Sequence, residues 1–421
     1  MSEDSKHAIV YGASGIIGWA LVDQLLSLYP QAGTFSKVTA VTNRPIDLSD
    51  MYWPEADPQT PALQLVSGVD LRHGDGAALA NSLKTKVDIE SVTHVYYLVF
   101  TAVDDNLEEV ATNRQMFRNV IDAHSLLSPR LEFVAFPGGT RASKLTNGYG
   151  IYAPGGIFTP PLQEDMVNNL PSDYAKTVVY TEYRKLLNAA SEGQKWTWCE
   201  VCPDAIIGFT PNGSQFSLAL HWAQYLSLYA YNHSIGPGVQ NTKSALVEVS
   251  FPGNIASANS LFSPASSKTI ARFMIYASMH PKKCGSGQLF NIADNEVPCK
   301  YGELWLRLAK WFGLVGKGPA ETSQAQDNTF KAGELPQDTS MTPGEYVAKY
   351  RDAFAKNGCP NAVSRGVGAG NRQLDSVGYW LTFDRQMSLK KLKESGFEVD
   401  KDPAQGWLET FEMFRKAGLI L

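Results

Sequence analysis

Short apolar runs alternate with helix-like segments through the first half of this 421-residue chain. Apolar runs bounded by turn residues are typical of buried strands, and the segments between them repeat apolar residues at helical spacing. This alternation predicts an α/β fold of the Rossmann type, with a doubly wound parallel sheet. The predicted strands are residues 7–11, 37–44, 62–66, 93–99, 131–136 and 196–201, and the helix candidates between the last pairs are 106–124 and 174–190.

The alternation stops after Pro203. Two long, aromatic-rich segments, 216–231 and 301–312, are predicted helices. We therefore expect a dinucleotide-binding Rossmann domain over residues 1–203 and a smaller, mostly helical substrate lobe over residues 204–421. Such a lobe would cover the carboxyl ends of the strands, where open parallel sheets bind ligands. The polar segment 316–342 and the glycine-rich segment 357–371 are predicted insertions or lids.

The first predicted strand runs directly into three glycines, Gly12, Gly15 and Gly18. Gly12 permits the sharp turn into a helix, Gly15 lets backbone amides approach a pyrophosphate, and Gly18 lets the helix pack close to the strand. Tight turns also recruit glycine for steric reasons alone. The position of this triplet between a strand and a helix nevertheless predicts a dinucleotide-binding turn. Ser14, Ile16 and Ile17 belong to the same turn and are predicted to contact the cofactor.

The second predicted strand ends in Asn43 and Arg44, where the ribose of the adenosine half should lie. NAD-selective folds usually place a carboxylate there, whereas a guanidinium suits a 2′-phosphate. These residues predict NADP(H), the alternative being that Arg44 is only a solvated strand-end residue. Asp70 and Leu71 are expected to flank the adenine, with Asp70 accepting from its amino group. A helix-capping role for Asp70 is the alternative.

Bulk properties narrow the classes of partner. The formal net charge is −5 and the sequence holds no basic cluster, which argues against a nucleic acid or an anionic membrane surface. We see no apolar signal region and no apolar run long enough for a membrane span. Cys199 and Cys202 lie in or beside an apolar strand, so buried free thiols are expected rather than a redox or metal site. The expectation is a cytoplasmic monomer or homodimer that binds no metal.

The motifs together resemble a known family. The chain resembles the extended short-chain dehydrogenase/reductases, specifically the progesterone 5β-reductase/iridoid synthase-like (PRISE) group. This resemblance implies NADPH-dependent reduction of the carbon–carbon double bond of an enone or enal, with hydride delivered to the β carbon. It also implies a hydrophobic small-molecule substrate that is terpenoid, steroid-like or polyketide-derived. The matching segments are 12–18, 43–45, 93–97, 113–120, 203–211, which includes the predicted cofactor contact Ile206, and 289–294 followed by 303–305.

In that chemistry a tyrosine hydroxyl stabilises the enolate oxygen, and a nearby lysine holds the ribose and supplies positive charge. Ordinary short-chain dehydrogenases place the two residues as Tyr-x-x-x-Lys, and no tyrosine of this chain has a lysine four positions later. The resemblance implies that Tyr180 is the catalytic tyrosine and contacts the cofactor, with Tyr183 as the second choice. The alternative is that Tyr180 only packs its helix against the sheet.

The family lysine follows a strand, and Arg141 occupies its place here, with Lys144 three residues later. Arginine keeps the positive charge but cannot relay a proton. Either Arg141 supplies the electrostatic support, or Lys144 reaches back, or the reduction is lost. The resemblance implies that Phe100, just past the fourth predicted strand, lines the substrate pocket. Trp222 and Tyr225 are candidates for its other wall, although an aromatic stripe at helical spacing is more often core.

Two other functions stay open at this point, and a third is disfavoured. Carbonyl reduction, or an isomerisation or cyclisation that keeps NADP(H) bound, would fit the departures from the family pattern. A non-catalytic NADP(H)-sensing protein would keep the glycine turn and Arg44 but would not need Tyr180. A sugar-nucleotide epimerase shares the architecture but should carry Tyr-x-x-x-Lys, which is missing.

Overall fold

The computed structural model describes residues 5–139, 142–143, 148–149, 158–214, 217–235, 246–320, 333–336, 341–364 and 372–421. Short 3₁₀ helices span Leu48–Met51, Ile89–Ser91 and Glu164–Asn169. In chain order the strands are β1 (Lys6–Tyr11), β2 (Phe35–Val41), β3 (Ala62–Val66), β4 (His94–Tyr97), β5 (Phe133–Pro137), β6 (Ala142–Ser143), β7 (Gly148–Tyr149), β8 (Thr197–Pro203), β9 (Ala205–Ile207), β10 (Glu248–Phe251), β11 (Leu261–Phe262), β12 (Pro264–Ser266), β13 (Gln288–Ile292), β14 (Cys299–Lys300) and β15 (Val315–Pro319).

The α-helices include several of a single turn. They are α1 (Ile16–Leu26), α2 (Gly76–Lys84), α3 (Asn106–Leu127), α4 (Ser172–Ala175), α5 (Val179–Ser191), α6 (Leu218–Asn232), α7 (Ile255–Asn259), α8 (Ser267–Met279), α9 (Pro281–Cys284), α10 (Tyr301–Trp311), α11 (Pro343–Tyr350), α12 (Asp352–Lys356), α13 (Asn361–Ser364), α14 (Arg372–Asp375), α15 (Val377–Trp380), α16 (Lys390–Glu394) and α17 (Pro403–Lys416).

Among the described residues, seven strands form one sheet in the order β13-β8-β5-β4-β1-β2-β3. Every neighbouring pair in it is parallel. Parallel sheets need both faces covered. Here α1 packs against α8, while α2 packs against α3 and α3 against α5. The predicted doubly wound Rossmann sheet is confirmed, and its six expected strands are all present.

The seventh strand departs from the sequence interpretation. We expected residues 289–294 in the carboxyl lobe, but 288–292 form β13, which pairs with β8 from Gln288↔Cys199 to Ile292↔Pro203. That expectation is wrong, because the chain leaves the sheet after β8 and returns to it only after a long excursion. No pattern of residues within 288–292 predicts that this segment pairs with β8.

By its contacts the chain divides into two compact units. The first comprises Met1–Asp204, Ser267–Ile292 and Ser388–Glu398, and the second comprises Ala205–Ser266, Ala293–Met387 and Val399–Leu421. The chain first crosses from one unit to the other next to the boundary expected after Pro203. Two later segments then return to the first unit, one carrying α8, α9 and β13 and the other carrying α16.

The second unit is built around tryptophans of three helices. Trp222 of α6 lies 5.4 Å, ring centroid to ring centroid, from both Trp305 of α10 and Trp407 of α17. All three side chains are fully buried. Two-stranded pairs surround this core: β10 with β15 and β9 with β12 are parallel, and β11 with β14 is antiparallel.

Other details refine the predicted elements. The helix expected over 174–190 is observed as α4 and α5, separated at 176–178. Residues 315–319, part of which fell in the predicted polar insertion, form β15 through pairing with β10. The expected free, buried thiols of Cys199 and Cys202 are confirmed. Within the described residues no helix combines the length and apolar character that a membrane crossing needs.

Candidate active site

The turn between β1 and α1 is shaped by its first glycine. Gly12 has φ +80°, a left-handed conformation that side chains disfavour. A methyl group on it would lie 2.6 Å from the carbonyl oxygen of Leu98, the residue after β4. The Gly12 and Ala13 amides donate to the Val41 carbonyl at 3.1 and 3.2 Å. Gly12 therefore allows the turn to pack directly against the carboxyl ends of β2 and β4.

The other two glycines bring α1 onto this turn. Gly15 is the N-cap of α1, and its amide donates to the Gly12 carbonyl at 2.9 Å. A methyl group on Gly18 would lie only 2.1 Å from the same carbonyl oxygen. The first turn of α1 holds no acidic residue, so its amides and positive dipole end suit an anion. These residues fit the pyrophosphate of a dinucleotide, with Ser14, Ile16 and Ile17 in the same turn.

The predicted ribose position lies at the carboxyl end of β2. Asn43 and Arg44 are both exposed there. The loop backbone is fixed by Thr42, whose hydroxyl donates to the Arg44 carbonyl at 2.9 Å and whose amide donates to the Val66 carbonyl at 2.9 Å. The Arg44 side chain thus emerges from an anchored strand end, beside the turn that Gly12 forms with the same strand.

Asp70 is already engaged by its own neighbours. Its Oδ2 accepts from Arg72 Nη2 at 2.7 Å, and its Oδ1 accepts from the Arg72 amide and Nε at 3.0 Å. Hydrogen bonding from Arg72 holds the pKa of the Asp70 carboxyl well below its usual range. The alternative capping role is wrong, because Asp75 caps α2 and accepts from the Ala78 amide at 2.9 Å. Leu71 next to it is buried.

The loop after β4 is clamped by two buried residues of α3. Asn113 accepts from the Thr101 amide at 2.8 Å and donates to the Thr101 and Glu109 carbonyls at 2.7 and 2.8 Å. The Glu109 carboxylate accepts from the Val103 amide at 3.1 Å. Phe100, at the start of this loop, packs against the core of the first unit. Asn113 lies in the matching segment 113–120, but the sequence analysis predicts no role for it or for Glu109.

Helix α5 separates the two candidate tyrosines. Val179, Tyr183 and Leu187 form its buried stripe at four-residue spacing. Tyr183 is 2% exposed, and burial raises its pKa well above the ordinary value. Tyr180, one residue further round the helix than Val179, is only partly buried. The Tyr180 side chain is thus less enclosed than that of Tyr183, whose hydroxyl is buried.

The Tyr180 hydroxyl lies against the turn that follows β5. A methyl group on Gly139 would be 3.0 Å from its oxygen. The preceding residue, Gly138, donates its amide to the Val201 carbonyl of β8 at 2.8 Å. Its Cα packs on Glu200, since a methyl group there would be 2.1 Å from Glu200 Oε1. The two glycines therefore bring a tyrosine hydroxyl to the carboxyl edge of the sheet, the edge that carries the Gly12 turn.

Glu200 is fully buried within β8 and pairs with a residue of α5. Its Oε2 accepts from Arg184 Nη1 at 2.9 Å. Burial raises the pKa of the Glu200 carboxyl, while the Arg184 guanidinium opposes that shift. Sequence reasoning missed this pair, although a glutamate inside an apolar strand is itself a signal that a buried cation must lie nearby.

The comparisons with known proteins agree with this geometry. The family model for the PRISE-like Rossmann-fold domain matches residues 8–421. The chain belongs to this family. A short chain dehydrogenase of Aspergillus calidoustus is 30% identical over 429 residues, which cover 100% of this chain and 95% of the relative. The 3-oxo-Δ4,5-steroid 5-β-reductase of Arabidopsis thaliana is 25% identical over 74% of this chain and 70% of its own length.

Among solved structures, the GDP-mannoheptose C4 reductase of Campylobacter jejuni, with NADP bound, superposes with a TM-score of 0.53 at 14% identity. The match covers 99% of each chain. At that identity the likeness concerns the fold alone. With the family match, the predicted resemblance, the Rossmann architecture and the assignment as a short-chain dehydrogenase/reductase enzyme are confirmed.

Not every predicted site residue of this PRISE-like protein can be placed. Arg141 and Lys144 lie outside the described residues. Ile206, Trp222 and Tyr225 belong to the second unit, where Ile206 lies in β9. Trp222 is 1% exposed and packs among other aromatic rings, as a core residue does. Tyr225 is partly buried and contacts Tyr229, Trp305 and Tyr346.

Proposed function

We propose that this protein is an NADPH-dependent reductase of the carbon–carbon double bond of an enone or enal in a hydrophobic small molecule. The observation that carries the proposal is the position of Tyr180, a partly buried residue whose hydroxyl oxygen lies 3.0 Å from the point that a methyl group on Gly139 would occupy, at the carboxyl end of β5. Ligands of doubly wound sheets bind at this edge. The name of the Arabidopsis relative specifies reduction of a steroid double bond conjugated to a 3-oxo group, which supports the same chemistry here.

The glycine turn and the end of β2 support NADP(H) as the cofactor. A methyl group on Gly18 would lie 2.1 Å from the Gly12 carbonyl oxygen, so glycine there lets α1 pack against the turn, with its amino end at the proposed pyrophosphate position. Asn43 and Arg44 stand where NAD-selective folds usually carry an acidic residue. An exposed guanidinium would attract the 2′-phosphate of NADP(H), which a carboxylate would repel.

When bound, the reduced cofactor would supply the hydride that adds to the β carbon. As that carbon is reduced, negative charge develops on the substrate carbonyl oxygen. Tyr180 would donate its hydroxyl hydrogen bond to this oxygen and so stabilise the enolate. Arg141 or Lys144 would supply positive charge near the same oxygen. An arginine there can act electrostatically but cannot deliver a proton.

The substrate pocket follows less directly from the chain. Asn113 holds the loop that begins at Phe100 at the carboxyl end of β4. The Phe100 ring would therefore form an apolar wall of the pocket at the same edge of the sheet as Tyr180. The substrate classes remain those implied by the family: terpenoid, steroid-like or polyketide-derived molecules.

The test is NADPH consumption by the purified protein with a panel of enones, enals and saturated ketones, followed by product analysis. We expect consumption with saturation of the carbon–carbon double bond. Tyr180→Phe should lower kcat by about 100-fold or more, as loss of an oxyanion donor does in other enzymes. Tyr231→Phe, on an exposed tyrosine of α6, is the matched control and should leave kcat unchanged.

Three results would contradict the proposal. Consumption with saturated ketones alone would identify a carbonyl reductase. Tight NADPH binding without consumption across the panel would favour a sensor or a catalyst of another reaction. Full activity of Tyr180→Phe on an accepted enone would remove the tyrosine from the mechanism.

A further inference from the structure

Helix α5 carries a charged residue one turn after Tyr180. Arg184 is four positions later, where Tyr-x-x-x-Lys dehydrogenases carry their lysine, and residues four apart are neighbours on one helix face. Its Nη1 donates to Glu200 Oε2 at 2.9 Å. The Arg184 side chain is 15% exposed and that of Glu200 is 0% exposed. The position of the usual lysine is thus occupied by an arginine that forms an ion pair with the buried Glu200 carboxylate.

The carboxylate in turn touches the turn that contacts Tyr180. Glu200 lies opposite Phe136 in the register of β8 with β5, and its Oε1 packs against the Cα of Gly138. Any side chain at 138 would collide with it. A methyl group on Gly139, the next residue, would lie 3.0 Å from the Tyr180 hydroxyl oxygen, so the hydroxyl lies beside this part of the turn. A closed ring of contacts therefore runs from Tyr180 through the two glycines and Glu200 to Arg184 and back along α5.

The charges of the pair point to geometry rather than to direct chemistry. The guanidinium is permanently charged, and the buried carboxylate compensates it. A buried ion pair is also a poor device for stability, since apolar residues of similar volume often serve equally well or better. What the pair does provide is a directional link between α5 and β8, next to the turn on which the tyrosine hydroxyl rests.

We propose that Arg184 and Glu200 are positioning residues that hold the Tyr180 hydroxyl against Gly139. The pair fixes the rotation of α5 about its axis and the position of the 138–139 turn relative to β8. The inference rests on the proposed role of Tyr180 in enone reduction. Displacement of a catalytic group by about 1 Å can lower the rate a hundredfold. Loss of the Arg184–Glu200 link should therefore lower kcat.

The first experiment replaces both partners, as Arg184→Met with Glu200→Met, so that no uncompensated charge is left in the core. We expect kcat for enone reduction to fall by about tenfold or more. The NADPH Kd should stay within about threefold, because the glycine turn is untouched. Lys185→Met is the matched control: Lys185 is the next residue of α5, pairs on the surface with Glu182 at 2.8 Å, and should leave kcat unchanged.

A double-mutant cycle then separates positioning from general stability. In a Tyr180→Phe background the same paired replacement should change kcat by less than about twofold, because the hydroxyl it acts on is already gone. An equal loss of kcat in both backgrounds would show a merely structural role and would overturn the inference.

A readout independent of turnover keeps the two proposals distinguishable. With 3-fluorotyrosine placed at position 180, the ¹⁹F chemical shift should change in the paired variant and stay unchanged in Lys185→Met. If Tyr180→Phe retains full activity, the proposed function fails, while the ¹⁹F shift still decides the positioning. If the paired variant does not fold, Arg184→Lys, which keeps the charge but loses the planar fork, takes its place. A wild-type ¹⁹F shift in the folded variant would refute the positioning role.

Discussion

Replacing Gly18 by alanine is the sharpest test of the turn between β1 and α1. The added methyl carbon would lie 2.1 Å from the Gly12 carbonyl oxygen, 2.8 Å from its carbon and 3.0 Å from the Ala13 Cα. An ordinary carbon–oxygen contact is about 3.3 Å, so α1 must move by about 1 Å. All three atoms belong to the backbone, and no side chain can rotate away. Overpacking of this kind typically costs about 1–3 kcal/mol of folding free energy.

The same shift would draw the first amides of α1 away from the proposed pyrophosphate position. Hydrogen bonds to charged groups are worth about 1.5–3 kcal/mol each, so losing two of the weaker ones costs about 3 kcal/mol. Since 1.4 kcal/mol corresponds to tenfold, the NADPH Kd of Gly18→Ala should rise by about 100-fold. Isothermal titration calorimetry measures the Kd, and thermal unfolding without cofactor measures the cost to stability.

Gly318→Ala supplies the control for that experiment, because a methyl group there meets no atom within 4 Å. Both its NADPH Kd and its unfolding temperature should match those of the unaltered protein. A folded Gly18→Ala protein that binds NADPH with unchanged affinity would refute the assignment of this turn as the phosphate site.

Three further predictions concern charge, loop order and acid stability. Arg44→Asp should weaken NADPH binding at least about tenfold more than NADH binding, since attraction to the 2′-phosphate becomes repulsion; equal weakening of both would refute the role of Arg44. Asn113→Ala removes three hydrogen bonds of about 1 kcal/mol each, two to the loop that begins at Phe100 and one within α3, so the unfolding free energy should fall by about 2–3 kcal/mol. The enone KM should rise, and an unchanged KM would separate the loop from the substrate. Burial lowers the pKa of both His94 and His124 from 6.5 to about 3, so the unfolded chain takes up protons first as the pH falls. Each contribution is complete above pH 6.5 and is lost towards pH 3 at up to about 1.4 kcal/mol per pH unit; urea unfolding from pH 7 to 4.5 should show a shallower slope for a folded His124→Gln protein.

The sequence predicted those parts of the fold that depend on residues close together in the chain. Six strands of the sheet were predicted because each is a continuous apolar run bounded by polar turns. Strand β13 was assigned to the wrong part of the molecule, since its place beside β8 depends on a return of the chain across 84 intervening residues, from Pro203 to Gln288. Strand β15 shows the same limit: Val315–Pro319 is rich in glycine and polar in part, and pairing with β10 gives it extended structure.

Site residues divide in a similar way. The roles of the glycine triplet depend on backbone geometry within one turn, and the observed contacts of Gly12 and Gly18 fit the steric reasons given from sequence. For the choice between Tyr180 and Tyr183, the buried stripe that Tyr183 shares with Val179 and Leu187 was legible as a helical repeat in the sequence. The hydrogen bonds from Arg72 to Asp70 were harder to predict from the sequence, because they depend on the conformation of a loop.

Arg184 sharpens the question of which cation supports the enolate. Four residues after the tyrosine, it stands where a lysine would ordinarily act on the cofactor ribose, yet its charge is balanced by Glu200 and its Nη1 donates to that carboxylate at 2.9 Å. Because the Glu200 carboxylate balances the charge of this largely buried guanidinium, the pair exerts only a weak electrostatic attraction on a developing oxyanion. We propose that the supporting charge comes from the segment after Gly139, where Arg141 and Lys144 follow in sequence. In this family member the two duties of the usual lysine would therefore be divided, with positioning assigned to the α5–β8 pair and positive charge to the residues beyond β5.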